Sequence, residues 1–228
     1  MSFFEELSAF LSDPEIWMGP GGIPNRLLEH LGLSGLSVLI AVVVAVPIGV
    51  WIGHSGRGDA AAVAIANIGR AVPSFGVLAL ALPFTIAIGL GLGFWPTFLA
   101  LLLLAIPPVF VNAITAIRQV DKATIESARG MGLTERQVLW SVELPLGLTL
   151  IVDGVRVAAV QVVATATLAA LVGWGGLGRY IVDGLAQRDN AEVFVGAALV
   201  ALLAILTELL FGAIERFAFP AGIRRSGA

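Results

Sequence analysis

The sequence predicts an all-α membrane protein of about five spans, and three observations carry that expectation. Apolar residues make up 58% of the 228 and charged residues only 13%, against roughly half and a quarter in a soluble domain. Mean hydropathy is +0.96. Apolar runs recur at lengths sufficient to cross a bilayer, for which about 20 residues are enough, and one strongly polar stretch, Arg118 to Pro145, separates two of them. The same composition excludes several classes. A net charge of −3 speaks against nucleic acid as a partner. With no cysteine there is no disulfide, thiol catalysis or thiolate metal site. The two histidines, His30 and His54, stand far apart, so a histidine-rich metal site is excluded as well.

At the N-terminus no signal peptide is expected. Glu5 and Glu6 occupy the place of a positive n-region, and no apolar h-region follows. Phe3, Leu7, Phe10 and Leu11 fall on one helical face, so two readings stand: a helix lying on the membrane surface, or a mobile acidic tail. Pro14 and the run Gly19 to Pro24 break any helix. The first span is expected over about Leu31–Ile52, with Pro47 inside it, and residues 53–59 form a polar turn. The next element, from about Ala60 to Leu92, is too long for one straight crossing. Arg70 and Pro73 divide it into a short surface helix and a span from Ser74. Gly93-Phe94-Trp95-Pro96 reads as the opposite turn, with Trp95 as an interface anchor. The third span covers Thr97–Ile117, interrupted by Pro107-Pro108; the fourth runs over about Leu148–Val172 and the fifth over about Val193–Ile214. The domain organisation is thus a tail and start of the first span (1–30), a membrane domain (31–215) and a C-terminal tail (216–228).

The polar stretch must sit in water, yet its residues specify structure. Asp121 is an N-cap for a first helix and Gly132 suits its left-handed end. Thr134 with Gln137 makes a capping box that starts a second helix, and Pro145 is expected to stop or kink it. Lys122, Glu126 and Arg129 share a face of the first helix. The result is a rigid helix–Gly–helix projection over 121–144, shaped to push against another protein. Placing it in the cytoplasm puts Arg57, Arg118, Lys122, Arg129, Arg136, Arg216, Arg224 and Arg225 inside and Arg26, Arg179 and Arg188 outside. That distribution obeys the positive-inside rule, with the N-terminus outside and the C-terminus in the cytoplasm of a bacterial inner membrane.

Glu126-Ser127-Ala128, three residues, Gly132, nine residues, then Val142-Glu143-Leu144-Pro145 resembles the EAA signature of ABC-importer permeases. The spacing matches throughout; Ser127 replaces Ala and Val142 replaces Ile. The resemblance implies the type I importer fold and assigns Glu126, Ser127, Ala128, Gly132, Leu144 and Pro145 to a coupling helix that docks on a cytoplasmic ATPase. It also implies the partners: two ATPase subunits, a second permease subunit (identical or a sister chain) and an extracytoplasmic solute-binding protein. On that reading the chain is a transport subunit rather than an enzyme and holds no cofactor of its own, since ATP and magnesium belong to the ATPase. Ala71 to Leu80, Ile117 to Asp121, and the series Gly154-Val155-Arg156, Gln161, Thr165 to Leu171 and Gly173 to Gly178 resemble the osmoprotectant permeases. These import quaternary ammonium compatible solutes such as glycine betaine, choline, carnitine or proline betaine. Ile106 to Phe110 departs from the group's pattern, and importers of methionine, taurine or nitrate share the fold and coupling helix, so the solute stays open. A secondary transporter is the remaining alternative, disfavoured by the absence of inverted repeats and midplane ionisable relays.

Gln161, Thr165 and Thr167 give the fourth span a neutral polar face, either lining a path or hydrogen-bonding neighbouring helices. Gly173 to Gly178 lacks GxGxxG spacing and reads as a close-packed outer turn or a solute contact. Arg156 in the fourth span and Glu208 in the fifth lie at matching depth. They are expected to pair, directly or through Asp153; otherwise Arg156 snorkels and Glu208 is protonated.

Overall fold

The computed structural model describes residues 2–58, 64–65 and 73–218, and every regular element among them is a helix. The surface helix expected before Pro73, together with Arg70, lies almost wholly outside the described residues, as do Arg224 and Arg225. In chain order the elements are α1 (Phe3–Ser12), α2 (Pro14–Trp17), α3 (Ile23–Ser55), α4 (Ser74–Ala87), α5 (Phe94–Arg118), α6 (Lys122–Gly130), α7 (Glu135–Val138), α8 (Leu144–Thr165), α9 (Gly178–Gln187) and α10 (Asn190–Ala218).

Among the described residues four helical runs are long and apolar enough to cross a membrane: Ile23–Ser55, Phe94–Arg118, Glu135–Val172 and Asn190–Phe217. The span expected from Ser74 to Leu92 is the shorter, 14-residue α4, about 21 Å long against a hydrocarbon core of about 30 Å; it still falls between the end of α3, beside Glu143, and Phe94, beside Trp174 at the opposite end of the bundle, so the chain crosses here as well. Its early end has a local cause, since Gly89, Gly91 and Gly93 all take positive φ. The first long helix starts at Ile23 rather than Leu31, because Pro24 occupies a first-turn position where its missing N–H is no loss. Pro107 and Pro108 do not interrupt α5, which runs unbroken through both. Phe94-Trp95-Pro96, expected as a turn, forms its first turn.

α5 is the centre of the bundle, with α3 on one side and α8 on the other. Leu33, Ala41, Ala45, Leu101, Ala105, Val109, Phe110, Ala158, Val162 and Ala166 are buried together between them. In a bilayer, lipid is as apolar as a leucine side chain, so helices associate by close packing of small residues. A β-carbon at Gly49 would lie 2.9 Å from the Phe110 carbonyl oxygen, and one at Gly154 would lie 3.0 Å from that of Pro108. Only glycine permits these two approaches.

At the far end of the bundle α1 is a helix closed by a capping box, Ser2 with Glu5, and packed on the protein. Phe3 meets Phe194 edge-on at 5.5 Å and Phe10 meets Tyr180 at 6.3 Å. Leu7, Phe10 and Ile16 cover a cluster of Ile23, Leu177, Tyr180, Val195 and Val200. The aromatic stripe on α1 therefore has a protein partner, which neither reading of the tail supplied.

Candidate functional site

The polar segment is built from local signals. The Asp121 carboxylate accepts from the Thr124 N–H at 3.1 Å and caps α6. Met131 closes the helix and Gly132 follows at φ +87, with open space around its α-carbon. Thr134 and Gln137 form the reciprocal capping box of α7. The charge pattern differs from the expected Lys122–Glu126–Arg129 face. Arg129 reaches forward and donates through Nε and a terminal nitrogen to both oxygens of Glu135, each at 2.9 Å. The two short helices are thereby braced across the glycine by a bidentate pair. Ser127, the departure from alanine, returns its hydroxyl to the Ala123 carbonyl at 2.7 Å and leaves the helix intact.

Pro145 does not end the second helix. α7 passes through a π-helical turn, Leu139–Glu143, into α8, with Pro145 in the first turn of α8. A proline ring clashes with the carbonyl four residues back and offers no N–H. A widened turn in which Leu144 N–H bonds to the Leu139 carbonyl accommodates both faults. Consequently the projection and the long helix above it form one continuous body.

Exposure sorts the six residues that the motif picks out. Glu126, Ser127, Gly132 and Pro145 are exposed, Leu144 is half-buried and Ala128 is buried against the segment itself. Two large apolar side chains that sequence reasoning missed stand out beside them, Met131 at 75% exposed and Trp140 at 61%.

Within α8, Gln161 is exposed and continues a stripe with Val157 and Ala164. Thr165 and Thr167 are half-buried, and the Thr167 hydroxyl donates to the Ala164 carbonyl at 3.0 Å. Gln161 therefore faces outward from this chain, and Thr167 bonds back to its own helix. Beyond Thr165 the helix tightens to 3₁₀ over Ala166–Val172. Tightening releases an α-helical carbonyl, and His30 meets one, its Nε2 lying 2.8 Å from the Val163 oxygen. A buried histidine, 1% exposed, thereby pins α3 to α8.

The glycine run 173–178 is close-packed from Gly175 onward, while Gly173 stands in open space. The Gly176 N–H donates to Glu29 at 2.8 Å, Glu29 also holds Arg26 at 3.0 Å, and the Tyr180 hydroxyl donates to the Gly21 carbonyl at 2.7 Å. Near the other end of the bundle Arg156 pairs directly with Glu208 and, at 3.2 Å, with Glu215. Asp153 lies close enough to act on Arg156 electrostatically. Glu215 is the member that depth matching along the sequence did not pick out.

Comparison with known proteins follows the same lines. The family model described as "Binding-protein-dependent transport system inner membrane component" matches residues 45–219. A carnitine transport permease protein of Listeria monocytogenes is 36% identical over 87% of this chain and 88% of its own. A choline transport system permease protein of Bacillus subtilis is 35% identical over 90% of this chain and 92% of its own. An osmoprotectant import permease protein of Salmonella typhimurium is 31% identical over 90% and 95%. Among solved structures, the inward-facing MetNI methionine ABC transporter aligns with a TM-score of 0.78 at 24% identity, covering 92% of this chain and 100% of that one. An amino acid ABC transporter crystallised with histidines aligns at 0.72 and 18%, covering 95% and 98%. At those identities the likeness to the solved structures is one of fold.

Proposed function

The chain belongs to the binding-protein-dependent inner membrane transport components, and from that membership we propose that it carries quaternary ammonium compatible solutes across the inner membrane as a permease subunit of an ATP-driven importer. The observation that carries the coupling part of this reading is the projection. Arg129 and Glu135 brace its two helices, Met131 stands exposed at its tip, and the π-turn joins it without a break to α8. A push at such a tip is delivered to a spanning helix rather than absorbed by a loop. The solute class rests on the relatives, whose names specify carnitine, choline and osmoprotectants.

In this reading Glu126, Ser127, Ala128, Gly132, Leu144 and Pro145 shape the surface presented to a pair of ATPase subunits. Gln161, Thr165 and Thr167 line the path. ATP and magnesium are bound by the ATPase, and solute is delivered by an extracytoplasmic binding protein to a pair of permease subunits. The N-terminus lies outside and the C-terminus in the cytoplasm.

Uptake into vesicles reconstituted with the full complex is expected to require ATP and to survive collapse of the proton gradient at constant ATP. Uptake driven by an ion gradient without the ATPase contradicts the assignment. Titrating the partner binding protein with glycine betaine, choline, carnitine, methionine and taurine tests the solute class. Binding confined to the quaternary ammonium compounds supports it, and binding of methionine or taurine alone overturns it.

A further inference from the structure

His54 joins three parts of the bundle that the motif does not connect. It lies in the last turn of α3, which ends at Gly56 in a left-handed conformation. One turn before that end Gly53 fixes α3 against α5, since a β-carbon there would lie 3.0 Å from the Ile114 carbonyl oxygen. The imidazole Nδ1 lies 2.5 Å from Oε2 of Glu143, and Nε2 lies 3.8 Å from Oε2 of Glu135. Glu143 sits in the π-turn and is 4% exposed. Glu135 is the carboxylate that braces α7 to Arg129. One side chain, itself largely buried at 17% exposure, therefore touches the first long helix, the irregular turn and the projection.

A carboxylate removed from water is costly unless a donor satisfies it, so the place of Glu143 depends on His54. Its place also decides geometry. The π-turn is the one departure from α-helical pitch between the start of α7 and the end of α8, and a widened turn is where a helix can bend. Glu143 occupies the position of the signature that admits any residue, so nothing in the motif assigns it a role.

We propose that His54 is a positioning residue for coupling. By donating to Glu143 it fixes the angle between the projection and α8, so that a displacement of α6 and α7 reaches α3 together with α8. The proposal rests on the reading of Arg118–Pro145 as the ATPase-coupling segment. Without the latch, the π-turn yields when the ATPase moves, and hydrolysis proceeds with less solute moved.

The test uses the complete complex of permease, ATPase and binding protein in vesicles, with solute moved per ATP hydrolysed as the readout. His54→Ala is expected to assemble with the ATPase and to lower that ratio roughly tenfold or more, the scale of one hydrogen bond to a charged group. His54→Asn, which keeps an N–H near the position of Nδ1, is expected to restore most of it. Gly132→Val serves as the control for the underlying reading. An unchanged ratio in His54→Ala while Gly132→Val uncouples overturns the proposal and leaves the coupling segment standing. An unchanged ratio in both overturns the coupling reading itself. His54→Phe fills the same space without the donor; if it and His54→Ala both fail to insert while His54→Asn inserts, His54 is an assembly residue and the proposal is overturned.

Discussion

Replacing Gly132 with valine uncouples transport from ATP hydrolysis while leaving the permease in the membrane. Gly132 holds φ +87 in the link between α6 and α7, and nothing lies within 4 Å of where a β-carbon would stand. Crowding therefore plays no part, and the penalty comes from the backbone alone. A β-branched residue in that conformation costs roughly 1–3 kcal/mol. The spanning helices lie elsewhere, so the strain is relieved locally, by turning α6 against α7. That rotation pulls Arg129 from Glu135, now 2.9 Å apart, and moves Met131 from its place at the tip. ATPase pull-down and solute uptake, measured on permease normalised for membrane abundance, check the expectation. Gly132→Ala, with a smaller side chain, is expected to show the same defect to a lesser degree. Normal uptake by Gly132→Val would remove the strained link from the account.

Charge reversal in the half-buried cluster between α8 and α10 lowers membrane abundance, and it does so unequally. Arg156 serves two carboxylates, Glu208 and Glu215, with Asp153 nearby. An ionised side chain at this depth is expensive alone and is stabilised by an opposite partner. Arg156→Glu leaves Asp153, Glu208 and Glu215 facing a further carboxylate with no cation among them, so abundance falls several-fold. Glu208→Arg is milder, because Glu215 remains to hold Arg156. The double reversal restores the Arg156–Glu208 pair in inverted order but sets the reversed carboxylate beside Glu215, so recovery is partial. Combining it with Glu215→Gln brings recovery closer to the parent level. Quantitative blotting of membrane fractions measures all four, and equal effects of the two single reversals would show that Glu215 takes no share of Arg156.

The parts legible in the sequence are those set by neighbours along the chain. The caps at Asp121 and Thr134 and the left-handed Gly132 are local devices, and each stands at the residue that its side chain specifies. What escaped depends on backbone accommodation or on distance. Pro145 signals a stop or a kink when read alone; a π-turn absorbs its missing N–H and the helix continues. Pro107 and Pro108 also read as a break, and α5 carries both. α4 ends early because three glycines beyond it turn the backbone to positive φ, a cue outweighed by the apolar run on either side. His54 and Glu143 are 89 residues apart and carry no mutual signal, and Glu215 joins Arg156 across 59. The docking of α1 against Phe194 and Tyr180 follows only from tertiary packing.

The central claim, that the segment Arg118–Pro145 meets the ATPase, is open to one direct measurement. The chain has no cysteine, so a single introduced thiol is unique. Met131→Cys, at a tip position 75% exposed, and Leu185→Cys, on α9 and 65% exposed, give one thiol at each end of the bundle. Each is carried through assembly with the partner ATPase and treated with a short thiol cross-linker. The account predicts a permease–ATPase adduct from Met131→Cys and none from Leu185→Cys. An adduct from Leu185→Cys with none from Met131→Cys would contradict it.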